Sequence, residues 1–156
     1  MYVEIDQNSG FCFGVVRAIS KAEAAVKELG GEVYSLGDIV HNRMEVQRLE
    51  ALGLKTVTHE DMESLVGRDL FIRAHGEPPT TYRRAEKLGI RVIDATCPVV
   101  AQLQGKVVAA HEKMQAVGGQ VVILGKRGHA EVVGLAGQVD KPTIVVEREE
   151  DLQQID

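Results

Sequence analysis

DLFIRAHGEPPTTYRRAEKLGIRVIDATCP, residues 69–98, decides the fold. Asp69 to Arg73 is a short apolar run of strand length. Pro78 to Leu88 then reads as a helix, opened by the Pro78–Pro79 pair and closed by Gly89. Arg91 to Ile93 is a second short strand. A strand, a crossover helix and a second strand imply a parallel sheet.

The same alternation spreads outward in both directions. Upstream, Val3 to Ile5 reads as a strand. A helix from Val15 to Leu29 follows, with Val16, Ile19, Ala22, Ala25, Val26 and Leu29 at helical spacing and Gly30–Gly31 at its end. Glu32 to Leu36 is the next strand, Asn42 to Leu52 a helix closed by Gly53, Leu54 to Val57 a strand, and His59 to Leu65 a short helix. Downstream of Cys97 a long helix runs to Val117 and ends at Gly118–Gly119. Gln120 to Leu124 is a strand, Ala130 to Ala136 a short helix and Thr143 to Val146 a strand. The class is α/β, with parallel-sheet domains and crossover helices. The expected organisation is a first α/β domain over residues 1–96 and the start of a second, incomplete one over 97–156. The ending, EREEDLQQID, falls where a further helix is due and reads as cut.

Composition narrows the function. Of 156 residues, 44% are apolar and 26% charged, an ordinary globular balance. The net charge is −5 with no sustained run of one sign, and there is no Trp and only three Tyr and three Phe. Neither nucleic acid nor an anionic membrane is an expected partner. The N-terminus lacks an apolar signal core, and stretches such as Val121 to Leu124 are too short to span a bilayer, so a cytoplasmic location is expected. An anionic ligand would need a few local donors.

Parallel sheets bind ligands at the carboxyl ends of their strands. The segments there are Gly10–Gly14, Gly37–Asn42, Ala74–Pro78, Ala95–Pro98 and Gly125–Glu131. Together they contain both cysteines and three of the five histidines. His59 and His111 fall in helical positions and read as surface residues. Cys12 and Cys97 each precede a helix, whose N-terminal dipole favours the thiolate that binds metal. A buried apolar role is open to each of them. Structural zinc favours closely paired ligands, whereas these cysteines are 85 residues apart. An iron–sulfur cluster held by single cysteines of separate domains suits that spacing better, and needs at least one more ligand. His41, His75 and His129, beside helix starts, could hold a diphosphate with imidazole donors. Glu131 either complements the dipole of its helix or, beside a bound anion, donates a proton. Lys126 and Arg127 read as exposed charges.

The segments GFCFGVVRAI, LGDIVHNRMEVQRL, IRAHGEPP, VIDATCPVV and GKRGHAEVVGLAGQ occur in order and resemble the LytB-type 4-hydroxy-3-methylbut-2-enyl diphosphate reductases along essentially the whole chain. The resemblance implies a trefoil of three α/β domains around a [4Fe–4S] cluster held by one cysteine per domain. Cys12 and Cys97 match the first two of these ligands. His41, His75 and His129 match the pocket histidines that bind the diphosphate, and Glu131 the acid that delivers protons. The implied reaction is reductive dehydroxylation of an allylic diphosphate to isopentenyl and dimethylallyl diphosphate, with electrons from ferredoxin or flavodoxin. Family members are roughly twice as long. Their third cysteine, the Ser/Asn diphosphate contacts of the third domain and a pocket Thr have no counterpart here. The expectation is that this chain alone neither holds a full cluster nor turns over substrate.

Overall fold

The computed structural model describes residues 1–6, 9–140 and 143–155. Helix α1 spans Phe13–Leu29, followed by β1 (Val33–Leu36), α2 (Arg43–Leu52) and β2 (Leu54–Val57). A 3₁₀ turn at Glu60–Leu65 leads to β3 (Asp69–Ile72), α3 (Pro79–Lys87) and β4 (Arg91–Asp94). Helix α4 (Pro98–Val117), β5 (Val122–Leu124), α5 (Ala130–Ala136) and β6 (Ile144–Val146) follow, and then a 3₁₀ turn at Glu149–Gln154.

The first four strands form a parallel sheet in the order β2-β1-β3-β4, and β5 pairs with β6, also in parallel. The fold class expected from the sequence is therefore the one observed. Chain order reverses direction between β1 and β3. At such a switch point the loops leaving two adjacent strands diverge to opposite faces and open a crevice.

Strand alternation divides the core between the two faces of the four-stranded sheet. Phe71 of β3 is buried with Ala18, Ile19, Ala22 and Ala25 of α1 and Leu49 of α2. Its neighbours Leu70 and Ile72 point the other way, onto Met62, Leu65, Ala85 and Ile90. The alanines of α1 recur on one stripe, so the helix backbone lies close to the sheet. Asn42 caps α2 by accepting the Glu45 N–H at 3.2 Å, which fixes the turn that carries His41.

One expected element is missing. Residues Val3 to Ile5 form no strand, and the apolar Val3 and Ile5 are largely exposed, at 71% and 80%. Their alternation is strand-like, but a strand also needs a hydrogen-bonding neighbour, and no described strand lies alongside. The Cys12 loop therefore follows no strand and simply leads into α1.

Candidate functional site

The loop leaving β1 carries His41 and the loop leaving β3 carries His75, so these two histidines flank the switch point. His129 arrives from the second sheet, after β5. The three rings meet in a near-equilateral triangle, with centroids 5.5, 5.7 and 5.6 Å apart. One ring nitrogen from each lies within 4.8 Å of the others. Residues separated by 34 and 54 positions are thus brought to one point by topology.

The loops hold each other in place. An added Cβ on Gly137 would fall 2.6 Å from Cγ of Pro78, and one on Gly134 would fall 3.3 Å from the His75 carbonyl. Helix α5 can therefore seat on the His75–Pro78 loop only with small residues there. Gln138 Nε2 completes the seam by donating to the carbonyls of Glu77 at 3.3 Å and Gly134 at 2.7 Å.

Protonation is set locally. Burial, reinforced by the charges of Arg73, His41 and His129, lowers the His75 pKa to about 4, so this ring is neutral at physiological pH. His129 Nδ1 accepts the Glu131 backbone N–H at 3.3 Å. An amide cannot give up its proton, so in the neutral ring the hydrogen sits on Nε2 and that nitrogen is a donor. Glu131 lies in the first turn of α5, directly beside the ring. Four buried polar side-chain atoms lack a partner among the described residues, and three of them are Arg73 Nε, His75 Nδ1 and Gln104 Nε2. Gln104 Nε2 lies next to Gly76, so all three surround the His75 loop.

Cys12 and Cys97 are both free thiols and are the N-cap residues of α1 and α4, with no side-chain cap bond. Cys12 is exposed and Cys97 half-buried. A Cβ on Gly14 would fall 2.7 Å from Cys97 Sγ, which places that sulfur against the first turn of the helix that Cys12 caps. The Cys97 loop is well braced. Thr96 donates to Asp94 Oδ1 through its N–H at 2.8 Å and its hydroxyl at 2.5 Å, and Tyr82 donates to Oδ2 at 3.1 Å. Burial pushes the Tyr82 phenol up to about 12, which keeps it a donor. Lys21 and Arg17 of α1 reach the carbonyls of Asp94 and Thr96 at 2.6 and 3.1 Å. Two helix-capping thiols on facing loops are a donor set that fits part of an iron–sulfur site.

Lys126 and Arg127 are exposed, as read from the sequence, and Arg127 pairs with Asp151 at 2.5 Å. His111, read from the sequence as a surface residue, is half-buried, with Gln115 Nε2 at 2.8 Å from its Nε2. His59 is half-exposed, but its Nε2 meets the buried carboxylate of Glu77 at 2.8 Å. Sequence reasoning missed Glu77, Gln104 and Arg73.

The family model described as "LytB protein" matches residues 3–156. The chain belongs to the LytB family. Among curated relatives, the LytB chain is 52% identical over 154 residues to the 4-hydroxy-3-methylbut-2-enyl diphosphate reductase of Porphyromonas gingivalis, covering 99% of this chain and 53% of that one. It is 53% identical over 156 residues to the same-named protein of Parabacteroides distasonis, again over 99% and 53%. A solved E-1-hydroxy-2-methyl-but-2-enyl-4-diphosphate reductase from Plasmodium falciparum superposes with a TM-score of 0.86 at 29% identity, covering 96% of this chain and 46% of that one. A solved (E)-4-hydroxy-3-methyl-but-2-enyl diphosphate reductase, described as the terminal enzyme of the non-mevalonate pathway, gives 0.78 at 40% identity, over 95% and 52%. The LytB chain spans about half the length of the curated relatives it matches.

Proposed function

We propose that this chain is the part of a cytoplasmic 4-hydroxy-3-methylbut-2-enyl diphosphate reductase that supplies two cluster ligands and the histidine side of the diphosphate pocket. The observation that carries the reading is the triangle of His41, His75 and His129 at the switch point, with a fixed Nε2–H donor on His129. Donors converging on one spot from three loops suit the oxygens of a diphosphate.

In this reading Cys12 and Cys97 hold a [4Fe–4S] cluster, with the third ligand supplied from the rest of a longer protein. When bound, the cluster supplies Lewis acidity and the two electrons, received singly from a donor such as ferredoxin or flavodoxin. The chain's own residues bind and orient the allylic diphosphate. Glu131, held beside His129, delivers the proton with which the hydroxyl leaves as water. A second proton on the allyl fragment completes isopentenyl or dimethylallyl diphosphate. Residues 1–96 and 97–156 then correspond to the first domain and part of the second in a three-domain trefoil.

A second reading has an observation of its own, since three histidine nitrogens within 4.8 Å could ligate one divalent metal. The His129 bond opposes it. With Nδ1 accepting an amide N–H, a metal at Nε2 would have to displace the ring's remaining proton. Titrating the chain with inorganic pyrophosphate and, separately, with zinc decides between the two. The expected result is pyrophosphate binding that is lost on His41→Ala or His129→Ala. Tight zinc binding with no pyrophosphate binding would sink the diphosphate reading. For the cluster, anaerobic reconstitution of this chain should yield less than a full complement of iron and sulfide.

A further inference from the structure

Arg73 stands in an unusual position. It follows β3 directly, as Gly37 follows β1, each two residues beyond the Ser35–Phe71 pair of the adjacent strands. Gly37 has φ +76°, and a Cβ built there would fall 2.6, 2.7 and 2.9 Å from Nη1, Cζ and Nη2 of Arg73. All three guanidinium atoms lie that close, so the guanidinium is stacked against the bare Gly37 backbone. Any side chain at position 37 would evict it and would also strain the turn. Nη1 donates to the Asp38 carbonyl at 3.2 Å, on the loop that leads to His41.

The charge itself is uncompensated. No carboxylate lies within ion-pair distance of Arg73 among the described residues, and its Nε is buried without a partner. Asp38 and Glu77 exert only a longer-range attraction on it. Half-buried cations are normally paired, because desolvation costs more than a lone carbonyl returns. Arg73 is also close enough to His75 for its charge to disfavour protonation of that ring. The three-histidine site thus has a permanent cation two residues before His75, bonded to the loop that leads to His41 and without a paired carboxylate.

We propose that Arg73 is the fixed positive charge behind the three-histidine site, a positioning residue that holds the His41 loop through Asp38 and makes the site prefer multiply charged phosphates. This deepens the diphosphate reading and rests on it. The histidines would supply direction and Arg73 the field, and an arginine serves because it keeps its charge at every physiological pH.

The test is calorimetric titration of the whole 156-residue chain with inorganic pyrophosphate at low and high salt. Arg73→Gln is expected to weaken binding about tenfold or more and to flatten its salt dependence, since the lost term is Coulombic. Arg73→Lys should retain the salt dependence with a loss of only a few-fold, and Gly37→Ala should weaken binding in the same direction as Arg73→Gln. A purely structural arginine would change stability but leave the salt dependence intact. A folded Arg73→Gln chain with wild-type affinity and salt dependence overturns the proposal while leaving the diphosphate reading standing. If Arg73→Gln fails to fold, a folded Arg73→Lys chain that has lost the salt dependence overturns it as well. Absence of pyrophosphate binding by the unaltered chain instead removes the diphosphate reading, and this inference with it.

Discussion

Arg17, five residues after Cys12, donates to the carbonyl of Thr96, the residue before Cys97, at 3.1 Å. One side chain thereby ties the two cysteine loops, which the sequence separates by 79 positions at this contact. Arg17→Met should release that tie. The bond is solvent-exposed, so the stability loss should stay near or below about 1 kcal/mol in urea unfolding. The sharper readout is Cys97, whose alkylation in a Cys12→Ser background should speed up.

Two glycine replacements in helices should have opposite signs. Gly105 of α4 has open space around it, so Gly105→Ala should stabilise by up to about 1 kcal/mol through helix propensity. Gly14→Ala gains the same propensity but places its methyl 2.7 Å from Sγ and 3.1 Å from Cβ of Cys97. Rotating the thiol cannot relieve contact with both atoms. A net loss of about 1–3 kcal/mol is expected from overpacking. Parallel chemical denaturation curves would show whether the signs differ.

Acid should destabilise the chain through His75. Its folded pKa of about 4 lies below the unfolded value of 6.5, mainly because of burial. The unfolded state therefore binds the proton first as pH falls. The contribution of the neutral ring is complete above about pH 6.5, declines on acidification and is fully lost below about 4. His75→Asn should flatten that part of the stability profile. An unchanged acid limb in the variant would rule out this origin.

Glu77 is 5% exposed, yet it carries a carboxylate held by His59 at 2.8 Å and Thr81 at 3.1 Å. Removing His59 leaves a buried acceptor with one bond fewer. His59→Ala should cost about 1–3 kcal/mol, an unusual penalty for a half-exposed residue. Much of that loss should be recovered in His59→Ala/Glu77→Gln, because the buried group is then neutral. A thermal melt series of the three chains would test the coupling.

The parallel α/β plan was legible because every element from α1 to β6 has its own punctuation, such as Gly53 after α2 or the Pro78–Pro79 pair before α3. Val3 to Ile5 misled because alternation records only what one segment could do, whereas a strand requires a neighbour. His41, His75 and Cys97 were findable from the strand-end rule, and the ordering of His129 after β5 followed. The partnership of His59 with Glu77 was not, since helix and loop positions eighteen residues apart carry no periodic relation. Arg73 was hidden for another reason. A charged residue at a strand end reads as solvated, and only the fold, which sets its guanidinium against the bare Gly37 backbone, shows otherwise.

The seam between Gly134, Gly137 and the His75–Pro78 loop joins two separate sheets, and His129 sits on the far side of it from His41 and His75. An anion gripped by all three rings would act as a clasp between the halves of the molecule. Docking of the halves and capture of the anion are then a single thermodynamic cycle, in which each must strengthen the other by the same factor. Saturation at a hundred times Kd would add about 2.7 kcal/mol to the closed arrangement. Wear at the seam, even in glycines that touch no ligand, would be felt as lost affinity.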